Sequence, residues 1–229
     1  MQALVTGANR GIGLEMARQL LARGDRVVAT ARQPGKAPEL TRLAGEFPGR
    51  LTALPLSLPD ARSIAEVVRE IEALNLEIEL LINNAGMLVS GERFGAIESK
   101  SMRDTFASNV EGPFLLTQAL APSLAPHAKV VNLSSGVGSI AEASSLYSPS
   151  YAISKAALNM ATRLLSIALG EQHAIVIAIS PGWVRTDMGG SGAPLTPHDS
   201  VASMLRVIDG LGPADNGRFL SEKGKSIPW

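Results

Sequence analysis

Short aliphatic runs recur along this chain, each separated from the next by a longer segment, and that rhythm constrains the fold more than any other feature. The runs are Ala3–Thr6, Arg26–Ala31, Leu51–Leu56, Leu80–Ile82, Lys129–Leu133 and Ile175–Ile179. They are continuous rather than alternating, the pattern of strands buried on both faces of a parallel sheet. Between them, Ile12–Arg23, Asp60–Leu74, Ser101–Leu124 and Tyr151–Leu169 read as helices. Alternating strand and helix predict an α/β fold with a doubly wound parallel sheet. Arg218–Ser221 reads as a last short strand, and Gly189–Pro197 as a flexible loop. With 229 residues, no internal repeat and no linker, the reading is a single domain over residues 1–229.

Composition removes several classes of function. Lys+Arg and Asp+Glu balance at 21 each, which argues against a nucleic-acid surface, since phosphate binding needs a basic excess or stripe. The chain has no cysteine, so disulfides, thiol catalysis and thiolate metal sites are excluded. That absence fits a reducing compartment, and a cytoplasmic location is expected. No apolar run reaches the length of a membrane span, and the N-terminus enters a strand-like run with no basic leader. His127, His173 and His198 are scattered without ligand spacing, so no metal is predicted.

The first strand leads directly into TGANRGIG, Thr6–Gly13, and then the first helix. Gly7 permits a tight turn, and Gly11 and Gly13 let backbone approach a diphosphate at the helix N-terminus. The spacing is G-x-x-x-G-x-G rather than G-x-G-x-x-G, and a bare strand–helix connection is the alternative reading. Strand two ends Ala29-Thr30-Ala31-Arg32, with no carboxylate to hold a ribose 2′-hydroxyl. Arg32 and Arg10 together suit a 2′-phosphate instead, which predicts NADP(H) rather than NAD as the cofactor.

SPSYAISKAALNMA, Ser148–Ala161, places Tyr151 and Lys155 four residues apart in an apolar helix, hence on one face. The pair is either surface decoration or a proton donor beside a cation. The same helix carries more than one apolar stripe, which fits either a helix deep in one subunit or burial against the sheet on one side and a second subunit on the other, and a homodimer or homotetramer is expected.

Taken in order, these residues resemble the short-chain dehydrogenase/reductase family. TGxxxGIG matches Thr6–Gly13, NNAG matches Asn83–Gly86, a helix asparagine matches Asn109, a post-strand serine matches Ser135, YxxxK matches Tyr151 and Lys155, and PGxxxT matches Pro181–Thr186. GRFLSEKGKSIPW and SSGVGSI resemble a smaller branch with C-factor and sniffer-like carbonyl reductases. The resemblance implies a Rossmann-type fold and catalytic roles for Asn109, Ser135, Tyr151 and Lys155. It implies cofactor contacts from Gly7, Asn9, Arg10, Gly11, Ile12, Gly13, Arg32, Asn84, Ala85, Gly86, Tyr151, Lys155, Pro181, Gly182, Val184 and Thr186. Asn109 would hold a water that relays protons behind Lys155, and Thr186 would contact the nicotinamide carboxamide. Where the family often ends strand three with an aspartate, this chain has Ser57, and Asp60 reads as a helix N-cap. Residues 136–150 make a longer insert than is usual, read as a loop or small lobe over the pocket, and Ser139 within it is a rival for the serine role. The fully tying role of Asn83 and Asn84, joining strands and turns, is the alternative to cofactor contact.

Chemically, hydride transfer to a carbonyl leaves an alkoxide to protonate. The reading makes Tyr151 the acid, with Lys155 and the oxidised nicotinamide lowering its pKa, and Ser135 the hydrogen-bond donor to the substrate oxygen. Met87, Leu88, Tyr147, Trp183 and Met188 suggest an apolar pocket, with Trp183 read as either pocket wall or core, and MGGSGAPLTPHD supplies no long helical lid. The predicted function is NADP-dependent reduction of a small or medium hydrophobic aldehyde or ketone. The alternative is an NADP-binding regulatory or signalling protein with little turnover.

Overall fold

Side chains of the central strands alternate between two aliphatic cores, one on each face of a single sheet. The computed structural model describes Met1–Trp229. In chain order its elements are β1 (Gln2–Val5), α1 (Gly11–Ala22), β2 (Arg26–Ala31), α2 (Pro38–Glu46), β3 (Leu51–Pro55), α3 (Ala61–Ala73), β4 (Ile78–Asn83), α4 (Ser99–Phe106), α5 (Gly112–Leu120), β5 (Leu124–Leu133), α6 (Pro149–Ala168), β6 (Ile175–Ser180), α7 (Pro197–Asp209) and β7 (Phe219–Ser221). The strands pair in the order β3-β2-β1-β4-β5-β6-β7, and every pairing is parallel. Ala3, Val5, Ile175, Ile177 and Ile179 face the layer of α1, α2 and α7, whose Met16, Leu20, Leu40, Leu43, Met204 and Ile208 join the same core. Leu4 and Val176 face the opposite layer, against Ile64, Val67 and Ile71 of α3, Leu116 and Leu120 of α5, and Leu165 of α6. This period-2 division explains the continuous aliphatic runs, because both faces of the central strands are covered, whereas the edge strand β3 is largely exposed.

Several elements differ from the sequence reading. The segment Ser101–Leu124 is not one helix. α4 passes into a π-helical stretch at Ala107–Glu111, α5 ends at Leu120, and Leu124 already opens β5. Pro113 lacks the N–H that an α-helix would give to the Asn109 carbonyl, so the ladder shifts there. Two helices went unread, α2 and α7. The loop assigned to Gly189–Pro197 gives way to α7 at its last residue, where Thr196 caps the helix by accepting from Asp199 N at 3.1 Å. Val201, Met204, Leu205 and Ile208, at i, i+3, i+4 and i+7, are its buried stripe. Asp60 does cap α3, accepting from Arg62 N at 2.8 Å and Ser63 N at 3.2 Å. No helix is long and apolar enough to cross a membrane.

Candidate active site

Strand order reverses between β1 and β4, and in such sheets ligands bind beyond the carboxyl ends of the strands at that point. Here the two strand ends are stitched together. Thr6 Oγ1 accepts from Asn84 N at 3.0 Å and Ala85 N at 2.9 Å, and Asn84 Nδ2 donates to Thr6 O at 2.8 Å and Gly7 O at 3.1 Å. The Asn84 amide is therefore spent on joining the two turns. Gly7 and Gly11 adopt φ of +65° and +55°, where an L side chain is strained. A Cβ on Gly13 would run into the Gly7 carbonyl and the Asn84 amide. α1 begins with no side-chain cap and no acidic residue in its first turn, leaving its N-terminal N–H groups to an anion. Asn9, Arg10 and Arg32 are exposed beside it. Arg32 makes no salt bridge, whereas Arg10 Nη1 pairs with Asp187 at 2.6 Å, bridging the glycine turn and the loop after β6.

That loop completes the cleft from the other side. Pro181 and Gly182 end β6, Gly182 with φ of +75°, and Val184 is buried. Thr186 Oγ1 accepts from Gly189 N at 3.1 Å. Its methyl carbon stands 3.5 Å from where a Cβ on Gly11 would lie. The glycine turn, the Asn84–Gly86 turn and the Thr186 loop thus form three walls around one groove.

Tyr151 and Lys155 rise from the first turns of α6 at its floor. Lys155 is buried, and its Nζ donates to Leu133 O at 2.6 Å while lying 5.5 Å from the Tyr151 ring centroid. Burial lowers the Lys155 pKa from 10.5 to about 8. Burial raises that of Tyr151 from 10.0 to about 12, with Ser135, within hydrogen-bonding reach of the phenol, pulling it down and Tyr147 adding to the rise. Desolvation of the phenolate thus outweighs its polar neighbours in this pocket.

Ser135 and Ser139 have different surroundings. Ser135 lies two residues beyond the end of β5, at the start of the Gly136–Gly138 turn, and its hydroxyl acts on Tyr151. Ser139 is buried elsewhere, donating to Pro228 O at 2.7 Å and accepting from Glu142 N at 3.2 Å. Asn109 is also buried. Its Oδ1 accepts from Met87 N at 2.8 Å, and its Nδ2 donates to Met87 O and Ser154 Oγ, both at 2.9 Å. Both polar atoms of the side chain tie the loop after β4 to α6. Gly86 packs between Asn109 and Lys155, since a Cβ there would lie 3.1 Å from Asn109 Oδ1 and 3.8 Å from Lys155 Nζ.

Apolar side chains stand exposed near the groove: Trp183 and Met188 on the loop after β6, and Tyr147 close enough to Tyr151 to act on its pKa. Trp183 is rim rather than core, its indole N–H donating to Gly189 O at 2.8 Å. One residue of the site escaped the sequence reading altogether. Glu92 accepts from Ser150 N at 2.9 Å and from the Ser150 hydroxyl, capping α6 one residue before Tyr151. Ser148, at the N-cap position, makes no such bond. Nothing local in the sequence marks Glu92, because its partner is remote along the chain.

The short chain dehydrogenase family profile matches residues 1–194. The C-signal of Myxococcus xanthus is 42% identical over 154 residues, covering 66% of this chain and 93% of that protein. Among solved structures, the carbonyl reductase Sniffer of Drosophila melanogaster superposes with a TM-score of 0.95 at 32% identity, covering 100% of this chain and 99% of that one. An NADPH-bound carbonyl reductase from chicken fatty liver gives 0.94 at 38% identity, covering 100% and 98%. With the glycine turn, the NNAG turn and the YxxxK helix meeting at one groove, this chain belongs to the short-chain dehydrogenase family.

Proposed function

We propose that this protein is an NADP-dependent oxidoreductase that reduces the carbonyl of a small or medium-sized apolar aldehyde or ketone to an alcohol. The observation that carries the proposal is the meeting of Ser135, Tyr151 and Lys155 on the floor of a groove whose glycine turn is flanked by arginines. The cradle fits a dinucleotide. Gly7, Gly11 and Gly13 keep side chains out of the diphosphate's path, and the uncapped start of α1 offers N–H donors. Arg32, with Arg10 beside it, meets a 2′-phosphate, while Lys155 and Thr186 reach the nicotinamide end. NADPH, when bound, supplies the hydride that goes to the carbonyl carbon.

The chain's own residues handle the oxygen. Ser135 donates a hydrogen bond to it, stabilising the charge that develops there. Tyr151, protonated across the neutral range with a pKa near 12, is a proton donor and gives its proton to the nascent alkoxide. The Lys155 cation compensates the phenolate left behind. The exposed apolar rim favours uncharged substrates over sugar phosphates or thioesters of CoA.

The test is consumption of NADPH and NADH by the purified protein against aldehydes, ketones, quinones and diketones, with Tyr151→Phe alongside. Turnover lost in the variant by a factor of about 10²–10⁴, with NADPH binding retained, is the expected result. Tight NADPH binding without turnover on any carbonyl would overturn the proposal. It would favour the second reading, an NADP-binding signalling protein, for which the identity with the C-signal speaks. The chain works as an oligomer in this proposal. Ile153, Met160, Leu164 and Ile167 form an exposed stripe on α6, beside exposed Met102 and Phe106, a face suited to a second copy. A cysteine-free chain using NADPH fits the cytoplasm.

A further inference from the structure

The face of α6 that presents Tyr151 and Lys155 continues one turn further to Asn159, at i+8 from the tyrosine. Asn159 is buried, and its carboxamide is occupied on both sides. Ser134 Oγ donates to Asn159 Oδ1 at 2.6 Å, and Asn159 Nδ2 donates to Gly138 O at 3.1 Å. Ser134 and Gly138 are buried too, and they flank Ser135 along the chain. We infer that Asn159 is a positioning residue for catalysis: its carboxamide clamps the chain before and after Ser135 to the helix that carries Tyr151 and Lys155.

Three further contacts make this a built arrangement. Lys155 Nζ donates to Leu133 O, two residues before Ser135. Gly138 lies so close to α6 that a Cβ on it would stand 2.8 Å from Lys155 Cβ. Gly136 N donates to Ser180 Oγ at 3.1 Å, holding the turn to β6. Ser135 itself has extended backbone, φ −159°, with no local constraint on where its hydroxyl points, so the direction comes from these neighbours. The clamp needs an acceptor and a donor on one short side chain. Aspartate offers no donor for Gly138 O, and leucine offers neither, which leaves asparagine as the side chain of that length that serves both. Proper placement matters because oxyanion donors and catalytic acids act only within tight geometric limits.

The inference rests on the proposed reductase reading, and the experiment separates the two. Turnover and KM for an apolar aldehyde at saturating NADPH, NADPH affinity by fluorescence, and the pH profile are measured for the full chain and for Asn159→Ala, Asn159→Asp, Ser134→Ala, Ser135→Ala and Ser135→Ala/Asn159→Ala. Asn159→Ala is expected to lower kcat by about tenfold or more, about 1.4 kcal/mol, with KM and NADPH affinity little changed. The alkaline limb, which Lys155 sets, is expected to stay near pH 8 in this variant. In the Ser135→Ala background the same substitution is expected to add little, since residues acting through one another are not additive. Equal losses in both backgrounds would show a purely structural role and overturn the inference, as would an unchanged kcat in Asn159→Ala. Should that variant not fold, Ser134→Ala, which removes one arm of the clamp, carries the same comparison. Full turnover in Ser135→Ala would overturn the reductase reading and the inference with it. Loss in Ser135→Ala with none in Asn159→Ala or Ser134→Ala would overturn the inference alone.

Discussion

The Lys155 ammonium lies 5.5 Å from the centroid of the Tyr151 ring and is anchored to the Leu133 carbonyl at 2.6 Å. Desolvation acts on the half-buried Tyr151 and the buried Lys155 in opposite directions, because it penalises whichever form is charged. It raises Tyr151 to about 12 and lowers Lys155 to about 8. Below pH 8 the site therefore holds a neutral phenol and a cation. The Lys155 charge is present below its lowered pKa and lost as pH rises through it. Turnover in the reducing direction is expected to be level from about pH 6 to 7.5 and to fall with an apparent pKa near 8. A kcat profile under saturating NADPH checks this, and a fall only above pH 10 would contradict it.

Arg32 stands at the end of β2 with no salt-bridge partner, where a carboxylate would serve a ribose hydroxyl. Arg32→Asp is expected to weaken NADPH binding by about 10–100-fold, the size of one lost charge-assisted contact, and to leave NADH nearly unchanged. Titration of both cofactors measures the ratio, and equal losses would remove the 2′-phosphate assignment.

Glu92 caps the helix that bears Tyr151 and Lys155. Glu92→Ala leaves Ser150 N without its acceptor and is expected to lower stability by about 1 kcal/mol. In the same variant the KM for the carbonyl substrate is expected to rise, since the loop after β4 loses one of its ties to α6. Denaturant unfolding and steady-state kinetics measure the two effects. Glu92→Gln, which keeps an acceptor, is expected to recover most of the stability.

The apolar stripe of α6 gives a test of assembly. Met160→Asp with Ile167→Asp places two charges on residues that are 61% and 65% exposed in the isolated chain. Sedimentation is expected to show a smaller particle than the unaltered protein, with secondary structure intact. An unchanged mass would locate the subunit contact elsewhere or show that none forms.

The features legible in the sequence are those that short-range spacing encodes. Continuous aliphatic runs marked six of the strands because residues buried on both faces need no polar alternation. The glycine turn, the Asp60 cap and the Tyr151/Lys155 pair were legible for the same reason, each defined within eight residues. The α7 helix has its own local signal, Thr196 followed by Pro197 and a stripe from Val201 to Ile208, but it directly adjoins the glycine-rich loop, whose composition masks where the helix starts. The break at Asn109 was equally present in Pro113, whose missing N–H interrupts the ladder.

Other features exist only in the folded chain. The choice between Ser135 and Ser139 depends on which hydroxyl meets Tyr151 and which meets Pro228, 89 residues away. The grip of Glu92 on Ser150 spans 58 residues, and no local pattern can encode such a pairing. The direction of the Tyr151 pKa shift was likewise undecidable from a lysine four residues along, because it depends on how much water the surrounding loops exclude. Local spacing specifies which groups share a helix face or a turn. Desolvation and contacts between distant segments, which only tertiary packing creates, decide what those groups can do.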